Sequence, residues 1–225
     1  MPDFSEELAR ISLFSGLDPA ELASLAEHAF VRRLARGQLL FHEGEPSDYL
    51  FLVRSGRLRV FVASARGDEL VLSVVGPGET LGELSILDRH PRSATVDALE
   101  DVELIALPGT EARKLLESNR EALLAVALAL AAGMRRLSGT AADLVFLDLP
   151  RRLAKLLLAE AHTRDDGTIE SRLAMSQTGV AARLGATRQT LNKAMSTLAQ
   201  RGWITVEGTT VRIDNVEALT RFAES

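Results

Sequence analysis

Leu116, Asn119, Leu123, Val126, Leu130, Gly133, Leu137, Thr140, Leu144 and Leu147 follow one another in steps of three and four without interruption. That spacing keeps one helix face mostly apolar along its length, and it predicts a helix from about Thr110 to Ala142. A seam of this length asks for a partner helix, and the alanines around it leave room for one. Gly133 lets two backbones approach closely, at some cost in helix stability. The apolar stretch from Ala122 to Gly133 falls short of the ~20 residues that a membrane span needs. The helix is therefore expected to bury itself against protein, with no membrane partner.

Before the seam the texture is different. Short helical patterns come first, at Glu6 to Leu13 and from Asp18-Pro19 to Phe30, where Asp18 and Pro19 stand in the order of a cap and a first helical residue. Short apolar runs follow at 39–41, 49–53, 58–62, 70–75, 95–99 and 102–107, punctuated by Gly37, Gly44, Gly56, Gly67, Gly76 and Gly78. Short strands with glycine turns at regular spacing predict an all-β sandwich or roll. After the seam, Asp148-Leu149-Pro150 marks a break or a new start. Leu153, Leu156, Leu157 and Leu158 then pattern a helix to about His162, and Asp165-Asp166-Gly167 signals a turn. A chain of 225 residues suits two domains better than one. The expected division is 1–109, 110–145 and 146–225, with the helix as the middle part.

Cysteine is absent. That fits a reducing cytoplasm and excludes disulfides and cysteine-ligated iron–sulfur clusters. The formal net charge of −5 argues weakly against nucleic acid. Its distribution argues the other way, because Ser171 to Val206 holds no Asp or Glu while carrying Arg172, Arg183, Arg188, Lys193 and Arg201.

Within that stretch, residues 176–195 read as helix, tight turn, helix. Ser176 caps the first helix, Gly185 makes the turn and Thr187 caps the second. Ala181, Leu184, Leu191 and Met195 fall on faces that meet in a small core. The second helix then presents Arg188, Gln189, Thr190 and Lys193 near its start, with Ser176 and Gln177 beside it. Arginine can bond guanine O6 and N7 bidentately, glutamine can bond adenine N6 and N7, and hydroxyls and lysine suit phosphates. Recognition helices read bases with their N-terminal residues, so the placement agrees with the chemistry. Two short runs around Glu207-Gly208 predict a hairpin, which completes a winged helix.

A second informative segment runs from Gly82 to Thr95. Glycine turns expose backbone N–H groups that suit an anion. Arg92 adds a fork matched to phosphate, Ser93 adds a hydroxyl, and Glu83 stands where a carboxylate accepts from sugar hydroxyls. The same residues are also compatible with a structural Arg–Glu ion pair.

Over nearly its whole length the chain resembles the cyclic-AMP receptor protein and fumarate–nitrate regulator (CRP/FNR) superfamily. The resemblance is carried by Gly82-Glu83-Leu84-Ser85 through Arg92-Ser93-Ala94, by Phe146-Leu147-Asp148, by Ala186-Thr187-Arg188-Gln189-Thr190 with Lys193, and by Glu43-Gly44-Glu45. It implies an α+β chain with an N-terminal β-roll (a double-stranded jelly roll), a long dimerisation helix and a C-terminal winged helix-turn-helix. It implies that Glu83 holds the ribose 2′-hydroxyl, that Arg92 and Ser93 hold a cyclic phosphate, and that Gly82 and Leu84 contribute backbone groups beside Ser85. The base-contacting positions in the long helix fall at Leu137 and Ser138 counting back from Phe146, or at Thr140 counting from Arg135-Arg136. Three residues depart from the pattern: Leu137 is apolar where cyclic-AMP binders carry a small hydroxyl or amide side chain, Gln189 replaces a glutamate, and Gly179 stands where an acidic or helix-favouring residue is common.

The expected function is that of an allosteric activator or repressor. It binds a cyclic nucleotide, cyclic AMP foremost, and reads a pseudo-palindromic operator in double-stranded DNA as a homodimer. RNA polymerase is its further partner. Cyclic GMP, another effector or no effector at all are the alternatives within the same fold. A cyclic-nucleotide module acting on a protein partner is an alternative of another class. The chain shows no nucleophile–base pair, no metal-ligand cluster and no Gly-x-x-x-x-Gly-Lys loop, so no enzymatic role and no metal are expected.

Overall fold

The computed structural model describes residues 4–9, 14, 16–173 and 175–224. They divide into two compact units, Met1–Val62 with Leu72–Arg136, and Ala63–Val71 with Leu137–Ser225.

The first unit opens with α1 (Ser5–Ala9) and α2 (Pro19–His28). Residues 10–13 of the helix expected at Glu6 to Leu13 lie outside the described residues. The Asp18 side chain accepts from the Ala20 and Glu21 N–H groups, and Glu21 accepts from the Asp18 N–H, so α2 begins in a capping box. The strands are β1 (Phe30–Leu34), β2 (Leu39–Phe41), β3 (Tyr49–Ser55), β4 (Leu58–Ala63), β5 (Glu69–Val75) and β6 (Thr80–Leu81). A short helix, α3 (Glu83–Asp88), interrupts them before β7 (Thr95–Ala98) and β8 (Val102–Pro108). They form two four-stranded sheets of order β1-β8-β3-β6 and β2-β7-β4-β5.

β3 and β8 are apolar without alternation because both of their faces are covered. Phe51, Val53, Leu104 and Ala106 point into the core between the sheets. Leu50, Leu52, Ile105 and Leu107 point to the opposite face, against Leu22, Leu25, Ala112 and Leu115 of the helices. Successive strand residues face opposite ways, so a run of apolar residues marks a strand with a core on each side.

The helix expected from Thr110 to Ala142 is two helices, α4 (Gly109–Ser118) and α5 (Arg120–Phe146). Asn119 separates them with extended backbone, φ −117° and ψ 109°, and its side chain accepts from the Ala122 N–H to start α5. Sequence periodicity ran through this joint because Asn119 keeps the three-and-four step while leaving helical geometry. Part of the seam serves the chain's own core: Val126 is buried there beside Ala122, with Leu116 and Leu130 packed against it. Leu123, Leu124, Leu128, Met134 and Leu137 are exposed.

The second unit holds α6 (Leu149–Ala159), β9 (Ala161–Thr163), β10 (Ile169–Arg172), α7 (Gln177–Arg183), α8 (Arg188–Gln200), β11 (Ile204–Glu207), β12 (Thr210–Ile213) and α9 (Val216–Glu224). α6 ends at Ala159, short of the expected His162, which instead pairs with Glu170 between β9 and β10. The expected two-stranded wing is the edge of a four-stranded sheet of order β11-β12-β10-β9. Leu153, Leu157, Leu191, Leu198, Val211 and Leu219 are fully buried and make the centre of this unit.

Candidate functional sites

Tight loops build the first site. Gly82 takes φ +90° at the start of α3, and a Cβ there would collide with the Arg92 guanidinium. Only glycine adopts this conformation freely and leaves the space open. The Arg92 N–H donates to the Glu45 carbonyl and the Gly44 N–H donates to the Arg92 carbonyl, which ties the Glu43-Gly44-Glu45 turn to the cassette. Gly82, Glu83, Ser85 and Arg92 are brought together. Ser85 is buried with its hydroxyl 3.5 Å from the Pro91 carbonyl, whereas Leu84 and Ser93 are exposed.

Arg92 is only 5% exposed. Its Nη2 donates to the Tyr49 carbonyl at 2.7 Å, and its Cζ lies 4.2 Å from the centre of the Phe41 ring. Its Nε and Nη1 are buried with no hydrogen-bond partner, and so is Glu83 Oε2. The structural ion pair that sequence allowed is therefore not how these groups are satisfied. Burial raises the Glu83 pKa above its ordinary value, against the opposing pull of its own backbone bond and of Arg92. Burial likewise lowers the Arg92 pKa, against the charges of Glu83, Asp48 and Glu45. A buried cation, and a half-buried carboxylate with one enclosed oxygen, are costly when their polar atoms stay free, unless a ligand supplies the missing bonds. A group with phosphate oxygens and sugar hydroxyls has the matching chemistry. Leu137, Ser138 and Thr140 stand exposed on the second half of α5.

The second site is the pair α7 and α8. Ser176 Oγ accepts from the Gly179 N–H, and Thr187 Oγ1 accepts from the Thr190 N–H, so both expected caps are formed. Gly185 makes the turn with φ +60°. Ala181, Leu184, Leu191 and Met195 are buried together as the face pattern required. Gly179 has a packing reason: a Cβ there would lie 2.9 Å from the Met175 Cβ. Arg188, Gln189, Thr190 and Lys193 are exposed, and Arg188 Nε donates to Gln177 Oε1 at 3.3 Å.

Sequence reasoning missed several residues at these sites. Tyr49 and Phe41, which hold Arg92, lie 43 and 51 positions away on β3 and β2 and carry no local signal. Asn192 and Ser196 line a groove along α8 with Gln189 and Lys193. Their positions three and seven after Gln189, on the same helix face, were the available signal.

The model of the cyclic nucleotide-binding domain matches residues 31–119, and that of the Crp-like helix-turn-helix domain matches residues 151–222. A CRP-like cAMP-activated global transcriptional regulator of Mycobacterium tuberculosis is 34% identical over 97% of this chain and 99% of its own length. The chain belongs to the CRP/FNR family of transcription regulators. The cyclic AMP receptor protein of Thermus thermophilus, also of this family, is 33% identical over 94% of this chain and 96% of its own length. A CRP/FNR-family structure from Eubacterium rectale shares the fold with a TM-score of 0.79 at 18% identity, over 96% of this chain and 99% of that one. Within the CRP/FNR frame the first site lies in the nucleotide-binding domain and the second in the helix-turn-helix domain.

Proposed function

We propose that this chain is a cytoplasmic transcription factor that binds cyclic AMP and, as a homodimer, reads a pseudo-palindromic operator. The observation that carries the effector is the set of buried polar atoms left over at one cassette, Nε and Nη1 of Arg92 and Oε2 of Glu83. Arg92 and Ser93 take the cyclic phosphate, Glu83 takes the ribose 2′-hydroxyl, and Gly82, Leu84 and Ser85 shape the pocket. Leu137, Ser138 or Thr140 meets the base. Two relatives named as cyclic-AMP regulators support the choice of nucleotide. In this reading residues 1–109 hold the nucleotide, 110–145 dimerise and 146–225 bind DNA.

The exposed apolar residues of α5 support a second copy as the dimer partner. Ser176, Gln177, Thr187 and Thr190 position the reader on phosphates. Arg188, Gln189 and Lys193 face the duplex. Gln189 favours adenine where a glutamate would accept from cytosine N4. The nucleotide acts by preferring the arrangement in which the two reading helices lie ~34 Å apart, one turn of duplex. The DNA-bound dimer then recruits or blocks RNA polymerase. No step asks for enzymatic chemistry.

Calorimetric titration with cyclic AMP and with cyclic GMP tests the effector. Saturable binding of cyclic AMP, lost in Arg92→Ala, is the expected result. Tighter binding of cyclic GMP would transfer the role to that nucleotide, and binding of neither would remove the nucleotide from the account.

A further inference from the structure

α3 cannot hold itself together. Six residues are too few for an independent helix. Its first residues have no side-chain cap, and Arg89 ends it in the left-handed region at φ +60°, its N–H bonding the Ser85 carbonyl. The Ile86 carbonyl lies beyond the reach of the helix's own bonds. The N–H that would continue the ladder, that of His90, donates instead to Asp88 Oδ1.

Arg113 of α4 fills that gap. Its Nε and Nη2 both donate to the Ile86 carbonyl, at 3.1 and 2.7 Å. Among the described residues it forms no ion pair with a carboxylate, so its charge is directed at one backbone oxygen. A second contact fixes the same two helices. Gly109 opens α4, and a Cβ there would collide with the Ile86 side chain, while the Gly109 N–H donates to the Asp48 carbonyl at 2.8 Å. Asp48 adjoins Tyr49, whose carbonyl holds Arg92. The helix that carries Glu83 and the strand that holds Arg92 are thus both fastened to the start of α4.

We infer that Arg113 is a positioning residue for nucleotide binding: its fork holds α3 in place so that Glu83 and Arg92 keep the spacing a nucleotide needs. Arg113 touches no ligand in this account, which rests on the nucleotide reading above.

The test uses the full chain with Arg113→Met, which keeps the stem and removes the donors, and Arg113→Lys, which restores the charge without the fork. In Arg113→Met, amide hydrogen exchange without nucleotide should quicken across residues 83–92 while the α8 amides stay unchanged. Cyclic-AMP affinity of the folded protein should fall roughly tenfold, in keeping with the loss of a charge-assisted bond. Arg113→Lys should recover part of both. A merely structural role would lower the melting temperature and leave the affinity of the folded protein as it was, and that result overturns the inference. Unchanged exchange across 83–92 overturns it too. Wild-type protein that binds neither cyclic AMP nor cyclic GMP overturns the nucleotide reading itself and the positioning role with it, which separates the two failures.

Discussion

Arg92 and Arg188 end in the same guanidinium but live under opposite conditions. Arg92 is buried beneath Phe41, bonded once to a carbonyl, with two nitrogens lacking partners. Arg188 stands in water at the start of α8, steadied by Gln177. The buried site carries an electrostatic cost that only further hydrogen bonds would offset. The exposed site costs nothing while it waits, since water satisfies its donors. A small ligand with few atoms needs a preorganised, desolvated pocket to be gripped. A duplex offers many phosphates, and a surface helix with proper caps is enough to meet it.

The contrast predicts different penalties. Arg92→Ala should cost most, lowering cyclic-nucleotide affinity by roughly two orders of magnitude, because a buried charge-assisted contact is lost. Salt-dependent binding to non-specific duplex should be untouched, and a fall there in parallel would break the separation of the two sites. Arg188→Ala should lower operator affinity by roughly 1–3 kcal/mol and relax preference at one base pair in competition assays. Lys193→Ala tests the neighbouring position. A uniform loss across sequences with a smaller salt slope marks a phosphate contact, and a changed preference marks a base contact.

Glu83→Gln sharpens the comparison through pH. Burial raises the Glu83 pKa in the folded protein. A raised acid pKa means that the folded state binds the proton more tightly than the unfolded one. Wild-type stability from this group is therefore present at low pH and lost as pH rises through the raised value. Glutamine has no proton to lose. Without nucleotide, Glu83→Gln should melt above wild type at neutral pH, and the gap should close as pH falls to the ordinary carboxylate range. Its affinity for cyclic AMP should fall at the same time, by about tenfold. The smallest effect is expected at Gly179→Ala. Helix propensity alone favours alanine by up to ~1 kcal/mol, but the Met175 Cβ lies where the new methyl would go. The variant should melt no higher than wild type.

The sequence made the second site legible because its signals are local. Ser176, Thr187 and Gly185 each act within a few residues of themselves, and the structure uses all three as expected. The cassette's own residues were legible as a candidate anion site, but the groups that hold them in place were not. The groups that hold Arg92 come from strands more than 40 positions away, at Tyr49 and Phe41. β1 and β10 escaped notice because Arg32, Arg33, Glu170 and Arg172 erase any apolar pattern there, and both strands are specified by their neighbours' registers. The break at Asn119 was hidden for the reverse reason. Periodicity reports which face is apolar, and it continues across a joint that keeps the face aligned.

In the proposed function, a nucleotide held at Arg92 controls what α8 does on DNA. Selection of duplexes from a random pool, with and without cyclic AMP, tests it most directly. The account predicts enrichment of a two-fold symmetric site with half-sites one helical turn apart, dependent on cyclic AMP and lost in Arg92→Ala. Enrichment of the same site to the same degree without nucleotide, or by Arg92→Ala, would contradict it.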